Sequence, residues 1–243
     1  MLSTPQQNPL ILPGQSLLLS GFNPDIDSAT VPEDIWPQGG EVAFSDVAAV
    51  IDIVSTSALD TVAGSGARTI LLVGVDANFD QITEIVSLNG LTPVATIQLF
   101  LFSNTCILQS VGALNANQGI ITFSIGGNLG NVIAVGKGQS QSAAAVFPNA
   151  LRAGTRAHLI SAFAVIGKQP SSQATITLRR RRIGDGMVTT VALDIPITSD
   201  GGAVNIPIFT PVIFAAGEQV VVRATESSAN NVLVAAVLQF SWF

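Results

Sequence analysis

The chain has 243 residues, of which 48% are hydrophobic and only 11% charged, and its formal net charge is −6. An ordinary soluble domain carries about 25% charged residues, so either an unusual share of this chain is buried or much of its surface faces other subunits, since obligate interfaces resemble a domain core cut in half. The acidic balance argues against general binding to nucleic acid, which draws on clustered Lys and Arg, and no apolar run reaches the ~18 residues of a membrane-spanning helix.

Residues 1–40 are expected to form an extended, irregular arm. Pro5, Pro9, Pro13, Pro24, Pro32 and Pro37 fall here, half of the 12 prolines in the chain. Proline fixes φ and lacks a donor, which excludes a long helix or a central strand. Leu10, Ile11, Leu17, Leu18, Leu19, Phe22 and Trp36 are the apolar anchors of this arm, against the body or a neighbour. Residues 1–13 show no basic-then-apolar leader pattern.

From residue 43 the pattern has a period of two: Ala49, Ile51 and Ile53 alternate with Val50, Asp52 and Val54. A loop over 55–66 leads to predicted strands over 69–75 and 80–88. Asn89-Gly90 then turns into a third strand over 91–102, because Asn-Gly suits a type I′ turn with both central residues at positive φ. A further hairpin is predicted from 120–125 through the glycines at 126–130 to 131–135. The small polar stretch 136–142 marks the boundary between two β units, 41–137 and 138–243.

In the second unit, 157–165, 173–183, 187–197, 219–225 and 231–243 read as strands, with turn formers at 184–186 and 199–202. A short helix has room at 43–50 or 143–152. Residues 231–243 carry no charge and are apolar on both faces, so both faces are expected to be buried. The predicted fold class is all-β, an antiparallel sandwich or jelly roll.

Residues that could carry chemistry are few. His158, the single histidine, lies in a predicted strand, whereas a general base needs a partner and an open cleft. Cys106 is the single cysteine, so no intrachain disulfide forms and a buried, inert thiol is expected. One His and one Cys do not make a zinc cluster. Asp25, Asp27, Glu33, Asp34 and Glu41 gather early, and the Asp25-Ile26-Asp27 alternation has a spacing that hard cations use. The EF-hand offsets are absent, however, and Asp beside Pro is a common turn former. Gly64-Ser65-Gly66 precedes its strand, the reverse of a phosphate-binding loop. No cofactor and no enzymatic activity are expected. The densest charge run is Arg179-Arg180-Arg181-Arg182. On a strand two of these point to each face, which suits an edge guard or an ion-pair ladder to carboxylates of another copy.

Gly21-Phe22-Asn23-Pro24-Asp25-Ile26-Asp27, followed by Glu33-Asp34-Ile35-Trp36-Pro37-Gln38-Gly39-Gly40, resembles a signature of virion structural proteins of tailed bacteriophages. Residues 63–69, 74–76 and 88–94 are similar to the same proteins in order and spacing. The resemblance covers roughly residues 20–135, and the rest of the chain resembles them only in being β-rich. Leu101-Phe102-Ser103 stands where such proteins often carry an Arg. The resemblance implies a non-enzymatic particle component with no catalytic residues to carry over. The expected role is a capsid decoration or cement protein on the virion exterior, made in the host cytoplasm. Its expected partners are the major capsid protein and copies of itself in a homotrimer, with no nucleic acid and no membrane. Phe22, Trp36, Arg179, Arg181, Trp242 and Phe243 are the expected capsid or subunit contacts. The alternative is a tail or head-fibre component. An enzyme such as a depolymerase or a serine hydrolase would need His158 or a carboxylate pair in a cleft.

Overall fold

The structure, a computed structural model, describes residues 16–149, 156–167, 172–183, 188–198 and 203–242. Among the described residues every regular element is a strand. First come β1 (Ser16–Ile26) and β2 (Glu33–Asp34). A block follows: β3 (Ile51–Ser55), β4 (Ala67–Val75), β5 (Gln81–Ser87), β6 (Val94–Ala95), β7 (Phe102–Val111), β8 (Ile121–Ile125) and β9 (Asn128–Ile133). The chain closes with β10 (Ala144–Val146), β11 (Ala157–Gly167), β12 (Gln173–Arg182), β13 (Val188–Thr198), β14 (Ala203–Phe214), β15 (Glu218–Ser227) and β16 (Val232–Trp242).

Pairing divides these strands into an outer sandwich and an inserted unit. In the sandwich, one sheet runs β1-β16-β11-β14 and the other β10-β15-β12-β13, with β2 added on β15. The inserted unit stacks β6-β3-β8-β9 against β5-β4-β7. All of these pairs are antiparallel. The all-β class is therefore as predicted, and the body is a β-sandwich with a second pair of sheets inserted between β2 and β10.

Within residues 16–40 the structure differs from the irregular arm expected there. Ser16–Ile26 is a regular strand whose register with β16 runs from Ser16↔Ser241 to Asn23↔Val234. It is an edge strand, and Pro24 falls where the register shifts between Asn23 and Ile26, so the missing donor breaks no ladder bond. Gly21 is needed there for a close approach: a Cβ would sit 2.3 Å from the Ala143 nitrogen and 2.5 Å from the Ile35 oxygen. The expectations for Pro5, Pro9, Pro13, Leu10 and Ile11 lie outside the described residues. β14, which the sequence reading passed over, is also an edge strand. It carries Pro207 and Pro211, and its register with β11 shifts between Leu159 and Ser161, opposite that proline-bearing stretch.

The hairpin expected at Asn89-Gly90 does not form. Only Gly90 has a positive φ, at 62°, and the chain turns through an Asn89–Thr92 backbone bond (Thr92 N to Asn89 O, 3.1 Å). The following strand is just Val94–Ala95, and it pairs with β3 rather than β5. The two-residue turn with both φ positive lies instead at Gly126 (56°) and Gly127 (83°), joining β8 to β9 with Ile125 opposite Asn128. Glycine meets that requirement without a Cβ clash. The helix considered at 43–50 or 143–152 is absent from the described part of both ranges, and 144–146 is a strand.

Three apolar clusters fill the body. Phe147, Phe214, Phe240 and Trp242 stack inside the sandwich, with Phe147 and Phe214 centroids 4.9 Å apart. Ile51, Leu72, Phe100, Cys106 and Phe123 fill the inserted unit. Trp36, Phe102, Val132, Val146 and Val221 form the junction. Asn104 of β7 locks that junction by imitating a strand. Its Nδ2 donates to the Val146 carbonyl and its Oδ1 accepts from the Val146 N–H, both at 2.8 Å.

Candidate functional site

The outward side of β15 and β12 faces the inserted unit and the 33–46 segment. Alternation places Gln219, Val221 and Arg223 there, beside Arg179 and Arg181, while Val220, Val222 and Leu178 point into the sandwich core. A cleft of about 240 Å³ opens between these side chains, Asp34, Glu41 and Phe44. Its floor is an ion-pair network. The Arg223 Nε donates to Asp34 Oδ1 and its Nη1 to Glu41 Oε1, both at 2.6 Å. Asp34 Oδ2 also accepts from the Val42 N–H at 2.7 Å. The Arg223–Asp34 pair is nearly solvent-free, at 7% and 1% side-chain exposure. Burial pushes the Asp34 carboxyl above its ordinary range, and Arg223 pulls it back only in part.

The four consecutive arginines split as a strand requires. Arg180 and Arg182 turn toward Glu218, and Arg181 pairs with Asp46. Arg179 has no carboxylate within ion-pair distance among the described residues, although Arg223, Asp34 and Glu41 act on it through space. Burial and then the Arg223 charge lower its pKa below the ordinary guanidinium value. The run was expected to guard an edge or to ladder onto another copy; β12 instead lies between β15 and β13, and three of its four arginines find carboxylates in their own chain.

A second surface is the outward side of β1, β16 and β11. β1 contributes Leu18, Ser20 and Phe22, β16 contributes Leu233, Ala235 and Val237, and β11 contributes Ile160, Phe163 and Val165, all partly or fully exposed. Over 18–22, 233–241 and 158–167, no outward position carries Asp, Glu, Lys or Arg. The prediction that both faces of the last strand are buried therefore fails on one side: its residues alternate between buried and half-exposed. The Lys137 ammonium borders this surface, 5.6 Å from the centre of the Phe22 ring.

The residues expected at contacts separate accordingly. Phe22 lies on the uncharged face, and Arg179 and Arg181 line the cleft. Trp36 and Trp242 are core residues, each 3% exposed, because an indole this large is worth more in a junction or core than on a surface. Phe243 lies outside the described residues. His158 stands on the outward side of β11, in register with Ser241 and Ile213. The early carboxylates disperse to separate duties: Asp27 accepts from the Asn231 N–H, Glu33 from Asn23 and Thr30, and Asp34 and Glu41 from Arg223. Among the described residues no three His, Cys, Asp or Glu gather as metal ligands.

Two polar centres escaped the sequence reading. One is Arg223, an isolated cation in an apolar strand, whose placement inside Val220–Ala224 was the available signal. The other is Asp60, fully buried in the inserted unit. It accepts from Ala67 N (2.8 Å), Gln118 N (2.9 Å), Gly119 N (2.9 Å) and Ser55 Oγ (2.6 Å), tying three loops together.

No family model matches the chain, nor does any curated protein. Among solved structures the chain is weakly similar to the infectious bursal disease virus VP2 subviral particle, at 10% identity over 97% of this chain and 82% of that chain, with a TM-score of 0.14. That similarity is too slight to indicate a shared fold.

Proposed function

We propose that this chain is a non-enzymatic virion structural protein, a capsid decoration or cement protein that stabilises the shell of a tailed phage. The observation carrying this reading is the uncharged outward face of β1, β16 and β11. The uncharged stretches 18–22, 233–241 and 158–167 of these three strands make a face of roughly 400 Å², within the range of the biggest patch on a typical monomer and of the kind that marks a contact site. A soluble chain gains nothing from such a face until a neighbour covers it. Binding energy is then the whole mechanism: modest contacts, multiplied by symmetry, resist separation of the parts they bridge. The sequence resemblance around Trp36 directs this reading to tailed-phage particles.

The test has two arms. Size exclusion with light scattering on the purified chain is expected to give a homotrimer, and Phe163→Glu on the outward face is expected to dissociate it without loss of fold. Particle reconstruction is expected to place hundreds of copies on the capsid exterior, against the major capsid protein. A monomeric wild type would remove the trimer, and copies confined to the tail, in tens, would replace the shell role with that of a tail or head-fibre component.

A further inference from the structure

We infer that the cleft beside Arg179 is a receptor site for a carboxylate side chain presented by a neighbouring polypeptide. The first ground is charge. Of the arginines lining the cleft, Arg180, Arg181 and Arg223 each face a carboxylate of the chain, Glu218, Asp46 and the pair Asp34 and Glu41. Arg179 is the member without an ion pair among the described residues. The carboxylates nearest it, Asp34 and Glu41, are turned to Arg223, from which each accepts a 2.6 Å bond.

The second ground is unmet hydrogen bonding. Gln219 is 1% exposed and lines the cleft, yet its Oε1 has no partner among the described residues. The Nε of Arg181, also at the cleft, is likewise buried and unpaired among them. Buried polar atoms without partners are costly and call for an explanation. An orphan acceptor beside an orphan donor and a spare guanidinium matches a peptide segment, which brings amide N–H and C=O groups together with its carboxylate. The cleft, at about 240 Å³, has room for a whole side chain, and Phe44 offers an apolar wall for its methylenes.

The chemistry also sets the ligand charge. Asp34 and Glu41 stand in the same cleft, so a monoanion beside Arg179 meets less repulsion there than a dianionic phosphate. The chain itself carries 16 acidic against 10 basic residues, so a second copy is one source of such a group.

The experiment titrates the isolated chain with N-acetyl-aspartate amide and follows the arginine Nε–Hε resonances by NMR. Saturable binding is expected, with a Kd in the millimolar range, as suits one desolvated ion pair. Arg179→Gln is expected to weaken it about tenfold with unchanged melting temperature, and Arg182→Gln, on the other side of the strand, to leave it unchanged. Four results would overturn the inference: no saturable shift, an equal response to N-acetyl-asparagine amide, tighter binding of inorganic phosphate, or equal loss in Arg182→Gln. The measurement uses no particle, so it stands or falls separately from the virion role.

Discussion

The outer sandwich and the inserted unit are both stacked antiparallel sheets, yet they are held closed by different means. The inserted unit is gathered on one buried carboxylate: Asp60 accepts from the backbone N–H groups of residues 67, 118 and 119. The sandwich closes across the whole chain, with β1 on β16 and Arg223 reaching Asp34 from 189 residues away. The comparison shows two kinds of polar lock across distant segments. In the inserted unit backbone donors gather around one anion, and in the sandwich two charged side chains fix the register.

Two natural probes separate the units. Trp36 and Trp242 lie in the junction and the sandwich, while Cys106 lies in the core of the inserted unit. The largest effect is expected from Arg223→Ala, which leaves Asp34 buried without its cation and costs about 3–5 kcal/mol. In guanidinium titration the tryptophan transition should move to lower denaturant while Cys106 stays shielded from a thiol reagent. If both probes move together, the two units unfold as one and the distinction fails. Asp60→Ala is expected to do the reverse at a cost of about 3 kcal/mol, exposing Cys106 first, since several charge-assisted bonds are lost at once. Asn104→Ala leaves both polar groups of Val146 unpaired and should cost about 1–3 kcal/mol, and an increased gap between the two transitions would identify it as the coupling element.

Cys106 gives a pH-dependent version of the same comparison. Burial pushes its thiol from 9.0 up to about 12. The folded state holds this proton more tightly, so the stabilisation is fully present below pH 9 and is lost as pH rises toward 12. Alkaline denaturation followed by circular dichroism should show this slope, and Cys106→Ala should flatten it. The smallest effect on folding is expected from Val237→Glu on the uncharged face, compared with wild type at a concentration where both are monomeric, within about 0.5 kcal/mol as for other surface changes. A larger loss in denaturant titration would mean that the face is packed against its own chain.

Much of the fold was legible because alternation and turn chemistry act locally. Ile51-Asp52-Ile53, the run from Thr69 to Val75 and the glycine turn at 126–127 each declare themselves within a few residues. β1 did not, since Pro24 read as a breaker and only the edge position makes it harmless, and β14, passed over in the sequence, is likewise a proline-bearing edge strand. Asn89-Gly90 misled for the opposite reason: a good hairpin dipeptide was overridden when β6 found its partner in β3. Of the candidate site, the arginine run and its alternation were visible, but the carboxylates that meet it were not, because pairing across such distances leaves no local pattern.

The place of β16 has a consequence in time. It lies between β1 and β11 in its sheet, and it is made after the other described strands. During synthesis β1 precedes it and waits for about 200 further residues, which at ~5–20 residues per second is some ten to forty seconds. Over that interval an apolar strand with unpaired edges is open to any other nascent copy. The inserted unit, complete long before, can fold while its enclosing sandwich is still a ribosome-bound half.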